Sequence, residues 1–459
     1  MNKETLIDRV AEALKSECGA IFVGSGISHK STKVDWFKLL EPSTRELDIT
    51  IDNENDDLPL IAQYLVNQSS GNRGPLINQI SKAFNKKFFI NEYHKVLSTM
   101  KLSTIWTTNY DMLLEEAFLE FLVDVKVNDD SMSRNLNGSK VEIIKMHGCI
   151  SRSHHDEITI TQEDYEDFLV KKPAISQRLC NDLLKKSFLF IGYSCRDPNI
   201  KNIMVLARRL CKKSTQEHYL ILKKVTDGAK CKEKARRQEL WCNDLKRFGI
   251  STLLIDEYDE LEDILVSISQ RSRGKTVYIT GSHEGKNFEG LEIARTLGGE
   301  LAKTEEIILF SGQSSGIGAN VVSAFTEQCI LNKIDVNCRM RIFPNPYAAN
   351  PKFSNDFSLL PELKKYRAKL LNSTQVLVVF SGGKGTEAEV EVALNRNCKI
   401  IPAITRIEDY QNDVMIQIIS NESIMENIKM ADGEYYNKIV RNVCMSSEDI
   451  YNCVMKLIK

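Results

Sequence analysis

The feature that most constrains this chain is a repeated alternation of short apolar runs with amphipathic stretches. The runs are rich in β-branched or aromatic residues and end in glycine or polar residues, which predicts parallel strands buried on both faces. The predicted strands are residues 18–23, 103–108, 141–146, 188–192, 218–222 and 251–255 in a first series, and 276–279, 307–310, 376–380 and 400–404 in a second. Helical patterns lie between them, for example at 111–121 and 198–210. We expect an α/β fold with two Rossmann-like, doubly wound parallel-sheet domains.

The two series are separated by the polar segment Arg271-Ser272-Arg273-Gly274. A chain of 459 residues is too long for one ordinary hydrophobic core. We therefore predict one domain over residues 1–272 and a second over residues 273–459. Residues 128–139 and 346–358 have the composition of surface loops.

Composition excludes several classes of protein. The net charge of −1 lacks the basic excess of a general nucleic-acid binder. No apolar run approaches the ~20 residues of a membrane span, and the polar N-terminus lacks the apolar core of a signal peptide. The 12 cysteines include no C-x-x-C pair, which favours reduced thiols over disulfides or structural zinc. We expect a cytoplasmic protein without a bound metal.

Three predicted strands of the first series end in residues suited to chemistry. Gly24-Ser25-Gly26-Ile27-Ser28 follows the first strand, Thr107-Thr108-Asn109-Tyr110-Asp111 ends the second, and Lys145-Met146-His147-Gly148 ends the third. Ligands of open α/β sheets bind outside the carboxyl ends of the strands, so these groups should converge on one crevice. A glycine turn before a helix admits a phosphate, and a neutral imidazole can serve as a general base.

Together with Gly192-Tyr193-Ser194-Cys195-Arg196-Asp197-Pro198-Asn199 and Thr161-Gln162-Glu163-Asp164-Tyr165, these motifs occur in the order seen in bacterial sirtuin-like domains. Residues 1–265 resemble that family. The resemblance implies that NAD is the substrate, that Asn109 and Asp111 hold the nicotinamide ribose and its surroundings, and that His147 is the general base. The other residues that it assigns to NAD are Gly24, Ser25, Gly26, Ser28, Gly192 and Ser194.

Two departures from deacylase sirtuins affect the expected reaction. The four-cysteine zinc module is missing, and His29-Lys30-Ser31-Thr32 stands where those enzymes carry Pro-Asp-Phe-Arg. Both favour NAD hydrolysis or cyclisation over acyl-lysine chemistry. A protein deacylase or ADP-ribosyltransferase remains an alternative. A non-catalytic nucleotide-binding module is another, against which the pair of Asn109 and His147 speaks.

The second series carries its own glycine turns. Residues 382–389, with sequence G-G-K-G-T-E-A-E, follow a predicted strand and open a helix. Residues 311–318 and Thr280-Gly281-Ser282 occupy similar positions after two other strands. Glycines before a helix N-terminus cradle phosphate, and Lys384 adds a positive charge. Three such turns in one small domain predict a nucleotide pocket.

The G-G-x-G-T-x-x-E pattern resembles the SLOG superfamily, and the order of the two domains resembles the effectors of the Thoeris anti-phage defence system. The resemblance implies a C-terminal domain that binds a cyclic ADP-ribose isomer made by a partner TIR-domain protein and then switches on NAD depletion. Such effectors often act as tetramers or larger homo-oligomers. Arg367 and Lys384 would bind ligand phosphates, although Lys364, Lys365 and Lys369 compete with Arg367 for that role. Glu389 would bind ribose hydroxyls, and the pocket would be completed by Gly281, Ser282, Gly316 and Gly385.

Overall fold

The computed structural model describes residues 1–50, 57–84, 86–119, 121–134, 136–210, 216–225, 231–281, 288–312, 316–343 and 370–458. The predicted ligand residues Ser282 and Arg367, and the predicted loop at 346–358, lie outside these ranges. The chain forms two compact units, Met1–Ile268 and Ser269–Lys459. The division falls inside a helix that ends at Ser272, and the sequence-based boundary lies at the end of the same helix.

The first unit is a seven-stranded sheet in which every pairing is parallel. The strand order is β3–β4–β2–β1–β5–β6–β7, with these bounds: β1 Gly19–Val23, β2 Thr104–Thr107, β3 Val123–Lys126, β4 Val141–Lys145, β5 Ser187–Ile191, β6 His218–Lys223 and β7 Ile250–Ile255. The predicted α/β class is confirmed. The order of strands reverses between β1 and β5, which is where ligands of doubly wound sheets bind.

The helices of this unit are α1 Lys3–Lys15, α2 Ser25–Thr32, α3 Trp36–Leu47, α4 Leu58–Gln68, α5 Gly74–Phe84, α6 Glu92–Thr99, α7 Leu113–Ala117, α8 Asp129–Met132, α9 Gln162–Glu166, α10 Phe168–Lys171, α11 Pro173–Lys185, α12 Pro198–Leu210, α13 Cys231–Leu245 and α14 Asp259–Ser272. Short 3-10 turns cover His155–Glu157 and Lys246–Phe248.

Both faces of the first sheet are covered, as the continuous apolar strands require. Alternate residues of a strand point to opposite faces. Ile21 and Val23 accordingly pack into one core cluster, whereas Ala20 and Phe22 pack into another on the opposite face. A third cluster joins α3, α4 and α5 to Tyr110, just beyond β2. This helical insertion between β1 and β2 therefore packs beside the carboxyl end of the sheet.

The second unit is a five-stranded parallel sheet of order β10–β9–β8–β11–β12. Its strands are β8 Thr276–Thr280, β9 Ile308–Ser311, β10 Met340–Ile342, β11 Val376–Phe380 and β12 Lys399–Ala403. Its helices are α15 Phe288–Lys303, α16 Ile317–Leu331, α17 Val336–Arg339, α18 Lys384–Asn395, α19 Asp413–Ile419, α20 Glu422–Ala431, α21 Gly433–Val440 and α22 Ser447–Leu457, with a 3-10 turn at Ile407–Gln411. Here the strand order reverses between β8 and β11.

Three local differences from the sequence-based elements stand out. The edge strands β3 and β10 were not predicted, because their polar, partly exposed sequences V-D-V-K and M-R-I lack a buried apolar run. The predicted helix at 111–121 shortens to α7, and Asp111 lies before its start, where its carboxylate accepts the backbone N–H of Leu113. The predicted loop at 128–139 contains the short helix α8.

Candidate NAD site and second nucleotide site

The glycine turn after β1 lies at the reversal of strand order, pressed against the residue that follows β5. A β-carbon on Gly24 would lie 2.3 Å from the carbonyl oxygen of Gly192, and one on Gly26 would lie 2.9 Å from its Cα. Gly192 itself has a φ of +59°, and a β-carbon added to it would lie 2.6 Å from the backbone N of Ile27. Only glycine fits these three positions, because the two turns touch through their backbones.

Helix α2 begins directly from this turn. Gly24 is its N-cap and supplies no side-chain hydrogen bond to the first turn of the helix. Ser25 and Gly26 are exposed in that first turn, and Ser28 is buried one turn along the helix. The N–H groups of Gly24 and Gly26 already donate to the carbonyl oxygens of Ile191 and Gly192, so the turn offers an anion the positive end of the helix dipole.

Asn109 is fixed beside the same turn. Its side-chain Nδ2 donates to the carbonyl of Gly24 at 3.2 Å and to Oγ of Ser28 at 3.1 Å. Its backbone N–H donates to Oγ1 of Thr107, whose hydroxyl donates to the carbonyl of Val23. The side chain is buried, and its Oδ1 has no hydrogen-bond partner. Asn109 thus presents one fixed, unsatisfied acceptor at the end of β2.

A cavity of about 50 Å³ adjoins Asn109. It is lined by Ser25, Ser28, Thr32, Val34, Asp35, Trp36, Leu39, Phe84, Thr108, Asn109, Tyr110 and Asp111. Residues from the α2–α5 region therefore close over the end of β2. An engineered apolar cavity that binds benzene measures about 150 Å³, so the space beside Asn109 is small for a pyridine ring.

His147 is buried two residues beyond β4. Its ring meets Tyr165 and Phe168 edge-on, at centroid distances of 5.5 and 5.9 Å. Burial, aided by the nearby charge of Lys172, lowers the pKa of His147 to about 3, while Asp164 acts in the opposite direction. The imidazole is therefore neutral at physiological pH, as a general base must be before it takes a proton.

Lys172 and Asp164 are themselves held in place. Burial lowers the pKa of Lys172 to about 8. Its Nζ donates to the carbonyl of Met146, directly before His147, at 3.0 Å. Asp164 accepts two hydrogen bonds from the guanidinium of Arg73, at 2.7 and 2.9 Å.

Asp197 is a neighbour of His147 to which the sequence analysis gave no role. Its Oδ2 lies 3.4 Å from Nε2 of His147, although the two atoms are not aligned as a hydrogen bond. Its Oδ1 accepts the backbone N–H groups of Asn199 and Ile200 at the start of α12. An aspartate before proline at a helix start is a capping pattern, so nothing in the sequence distinguishes Asp197 from an ordinary helix cap.

Asp111 lines the small cavity near Asn109 and also a separate cavity of about 430 Å³. One carboxylate oxygen is used to cap α7. Its backbone carbonyl accepts a hydrogen bond from the buried Lys145, which also pairs with Glu115 at 3.0 Å. Asp111 is thus anchored at the end of β2, and its contact with a ribose remains a prediction.

A larger cavity of about 560 Å³ opens at the carboxyl ends of β1, β5, β6 and β7. Gly26, Gly192 and Ser194 lie on one side of it, and Ile221, Ile255 and Tyr258 on another. The structure therefore brings the predicted residues Gly26, Gly192 and Ser194 to one cavity, and Ser25, Ser28, Asn109 and Asp111 to the smaller one. His147 lines neither of these two cavities.

In the second unit, too, a glycine approaches the neighbouring strand closely where the strand order reverses. Gly281, after β8, has a φ of +150°, and a β-carbon there would lie 2.6 Å from Cβ of Phe380, at the end of β11. Gly316 has a φ of +82° and is the N-cap of α16. Gly383 is the N-cap of α18, so Lys384 and Gly385 are exposed in the first turn of that helix.

Glu389, on α18, reaches back to β8. Its Oε1 accepts the hydroxyl of Tyr278 at 3.0 Å, and its Oε2 accepts the hydroxyl of Thr280. The loop between β11 and α18 is braced by two residues that the sequence analysis did not single out: Asp409 accepts from Ser381 at 2.9 Å, and Asn412 donates to the carbonyl of Gly382 at 3.1 Å. Glu389 and the glycine loop thus share one end of the second sheet.

Two general properties complete the description. Within the described ranges, no group of three or more His, Cys, Asp or Glu side chains is arranged to hold a metal ion. None of the helices in the described part of the chain has the length and apolar content needed to cross a membrane.

Comparison with protein families agrees with this architecture. Residues 103–245 match the SIR2-like domain, and residues 260–459 match the Sir2- and TIR-associating SLOG family. The molecule is therefore a SIR2-like domain followed by a SLOG domain. Over most of its length it is also similar to proteins named NAD(+) hydrolase ThsA, and the chain belongs to the ThsA family.

Three of these relatives are each 30% identical to the chain. The relative from Bacillus cereus (strain MSX-D12) aligns with 87% of this chain over 86% of its own length. The Enterococcus faecium relative aligns with 96% of this chain over 91% of its length, and the one from Acinetobacter baumannii (strain 532279) with 87% over 87%. The predicted relationship to Thoeris effectors is thereby confirmed.

Proposed function

We propose that this chain is an NAD(+) glycohydrolase of an anti-phage defence system, with the reaction in residues 1–272 and its control in residues 273–459. The observation that carries the first part is the arrangement of Asn109. Its amide is fixed by Gly24 and Ser28 at the reversal of strand order, and its buried Oδ1 is left without a partner. The printed names of the relatives support hydrolysis of NAD.

The reaction breaks the bond between C1′ of the ribose and the nicotinamide nitrogen. Nicotinamide leaves with the bonding electron pair, and positive charge develops on the sugar ring. Asn109 Oδ1 accepts a hydrogen bond from the attacking water and orients it towards C1′. His147 takes a proton from that water or from a ribose hydroxyl and releases it to solvent. The products are nicotinamide, ADP-ribose and one proton.

The glycine turns bind the rest of the substrate in this proposal. The pyrophosphate lies against the first turn of α2, at Gly24, Ser25 and Gly26, where the positive end of the helix dipole favours negative charge. The cavity of about 560 Å³ beside Gly192 and Ser194 takes the adenosine half. Asp111 contacts the nicotinamide ribose.

Control by a second nucleotide is the other half of the proposal. The cavity beside Asn109 is small for nicotinamide, and His147 is buried against Tyr165 and Phe168. In this proposal these elements open before hydrolysis. An activating ligand must bind the open arrangement more tightly than the closed one. We propose that a cyclic ADP-ribose isomer, supplied by a partner TIR-domain protein, is this ligand.

The proposed ligand residues are Gly281, Ser282, Gly316, Arg367, Lys384, Gly385 and Glu389. The crowding of Gly281 on Phe380, the exposed position of Lys384 in the first turn of α18 and the name of the matching family support this site. We further propose that the chain acts as a homo-oligomer on cytoplasmic NAD, and that depletion of NAD causes abortive infection.

Product analysis tests both parts. The purified full chain is incubated with NAD, alone and with cyclic ADP-ribose or its ribose-linked isomers, and the products are separated by chromatography. We expect nicotinamide and ADP-ribose in equal amounts, at a rate that one isomer raises. Failure to consume NAD under every condition would refute the hydrolase. Full activity without any isomer would refute the control.

A further inference from the structure

We infer that Asp197 is a positioning residue for His147: its carboxylate orients the imidazole and stabilises the imidazolium that forms during the reaction. This inference rests on the proposed NAD hydrolysis. It adds a third side chain, from the start of α12, to the pair formed by Asn109 and His147.

The geometry of Asp197 divides its two carboxylate oxygens between two tasks. Oδ1 accepts the N–H groups of Asn199 at 2.9 Å and Ile200 at 3.3 Å, so the first turn of α12 fixes the carboxylate. Oδ2 faces Nε2 of His147 at 3.4 Å. The side chains of His147 and Asp197 are 3% and 9% exposed, so water screens this pair little.

The carboxylate of Asp197 has one basic neighbour in the described part of the chain: His147 is the only basic side chain there within 4 Å of it. The next acidic group, Asp164, is engaged by Arg73. The remaining titratable groups around Asp197 are Cys195, whose pKa burial raises, and the phenols of Tyr110, Tyr165 and Tyr193, whose pKa values burial also raises. All four are neutral at pH 7.

A buried imidazole needs such a partner. Burial and the charge of Lys172 hold the pKa of His147 near 3, so a proton arriving on this ring alone would be costly. An ionised carboxylate at Nε2 lowers that cost and keeps the ring proton on Nε2, which leaves Nδ1 to accept a proton from the substrate or water. Asp197 gives up no proton itself.

The same geometry predicts a pH dependence. Burial raises the pKa of Asp197 to about 6, against the two capping N–H groups, which lower it. Below that pH the carboxylate is neutral and cannot stabilise an imidazolium. We therefore expect kcat/KM for NAD to fall as pH drops through about 6. This acidic limb of the pH profile reports the protonation of Asp197 and not that of His147.

The decisive variant is Asp197→Asn in the full chain. Asparagine caps helices about as well as aspartate, so the melting temperature should stay near that of the wild type. We expect kcat/KM at pH 7.5 to fall about 10²–10⁴-fold. The limb near pH 6 should disappear from the residual activity. If Asp197 served folding alone, its substitution would lower kcat/KM at every pH and would leave the fall near pH 6 in place.

Asp129→Asn is the matched control. Asp129 accepts the N–H groups of Ala174 and Ile175 at the start of α11, at 2.8 and 3.1 Å, as Asp197 does for α12. Its substitution should change neither the rate nor the pH profile. Activity of Asp197→Asn within threefold of the wild type, or an unchanged acidic limb, would overturn the inference.

A second measurement does not depend on turnover. Nitrogen-15 spectra of the histidine rings, with the His147 signals assigned from a His147→Ala sample, report which ring nitrogen carries the proton. We expect Nε2–H in the wild type and a mixture of tautomers in Asp197→Asn. Identical tautomers in both proteins would contradict the inference. If the wild type consumes no NAD but its His147 tautomer still differs from that of Asp197→Asn, only the proposed reaction is refuted.

Discussion

The backbone of Gly24 lies so close to that of Gly192 that a single added carbon would come within 2.3 Å of the Gly192 carbonyl oxygen. These residues directly follow β1 and β5, the two strands between which the order of the first sheet reverses. Gly281 and Phe380 meet in the same way at the reversal in the second sheet. Close backbone contact at this position is thus common to both units.

Gly24→Ala should damage the first unit because neither neighbouring backbone can retreat easily. We expect overpacking to cost about 1–3 kcal/mol of unfolding free energy and NAD consumption to be lost. Thermal melting and NAD assays measure the two effects. Gly299→Ala is the control, since its β-carbon would meet nothing within 4 Å inside α15. Equal effects of both substitutions would contradict the argument.

His147→Ala should reduce NAD consumption about 10²–10⁴-fold, because a positioned general base is removed. His218→Ala is a matched control, since His218 is also buried in the first unit and burial lowers its pKa to about 4. Assays are normalised to folded protein by circular dichroism. Near-normal turnover in folded His147→Ala would exclude this residue as the base.

Asn109→Ala should remove the unpaired Oδ1 together with the Nδ2 hydrogen bonds to Gly24 and Ser28. Loss of water positioning alone can cost about 10²-fold in rate. The effect should lie mainly in kcat, and steady-state kinetics separate it from KM. A variant with unchanged kcat and a raised KM would mean that Asn109 only binds substrate.

Lys384→Ala should blunt activation by the cyclic ADP-ribose isomer without altering the unstimulated rate. Lys384 is exposed in the first turn of α18, so its removal should not disturb packing. Dose–response curves and calorimetric titration with the full chain measure the shift. Lys429→Ala, at another exposed lysine of the second unit, is the control. An unaltered dose–response would remove Lys384 from the ligand site.

Acid should destabilise the first unit through its buried histidines. Burial lowers the pKa of His94 and His218 to about 4 and that of His147 to about 3. As pH falls, the unfolded chain binds these protons before the folded chain does. The stability that the neutral histidines contribute is therefore fully present above about pH 6.5 and is lost as pH falls towards 4. Asp197, with its raised pKa, acts in the opposite direction.

A comparison of the wild type with His218→Ala isolates the effect of the His218 proton on the free energy of unfolding. Between pH 6 and pH 4.5 the wild type should lose about 1.4 kcal/mol more per pH unit than the variant. Urea unfolding at several pH values measures this slope. Parallel slopes would show that His218 titrates normally in the folded protein.

The sequence predicted the core strands because buried parallel strands are continuous apolar runs. It missed β3 and β10, whose burial is set by their neighbours in the sheet rather than by their own composition. The glycine turns and Asn109 were predictable because each follows a strand directly. The contact of Asp197 with His147 was not, since it joins residues 50 positions apart that only the folded sheet brings together.

The pairing of β1 with β5 also bears on synthesis of the protein. Gly19 pairs with Ser187, and the turn at Gly24 is completed only by Gly192. A ribosome must therefore make most of the first unit before the central strand gains its second partner, and such distant pairing folds slowly. An incomplete chain released before Gly192 lacks the second half of this turn, and its β1 keeps an unpaired edge that can pair with other chains.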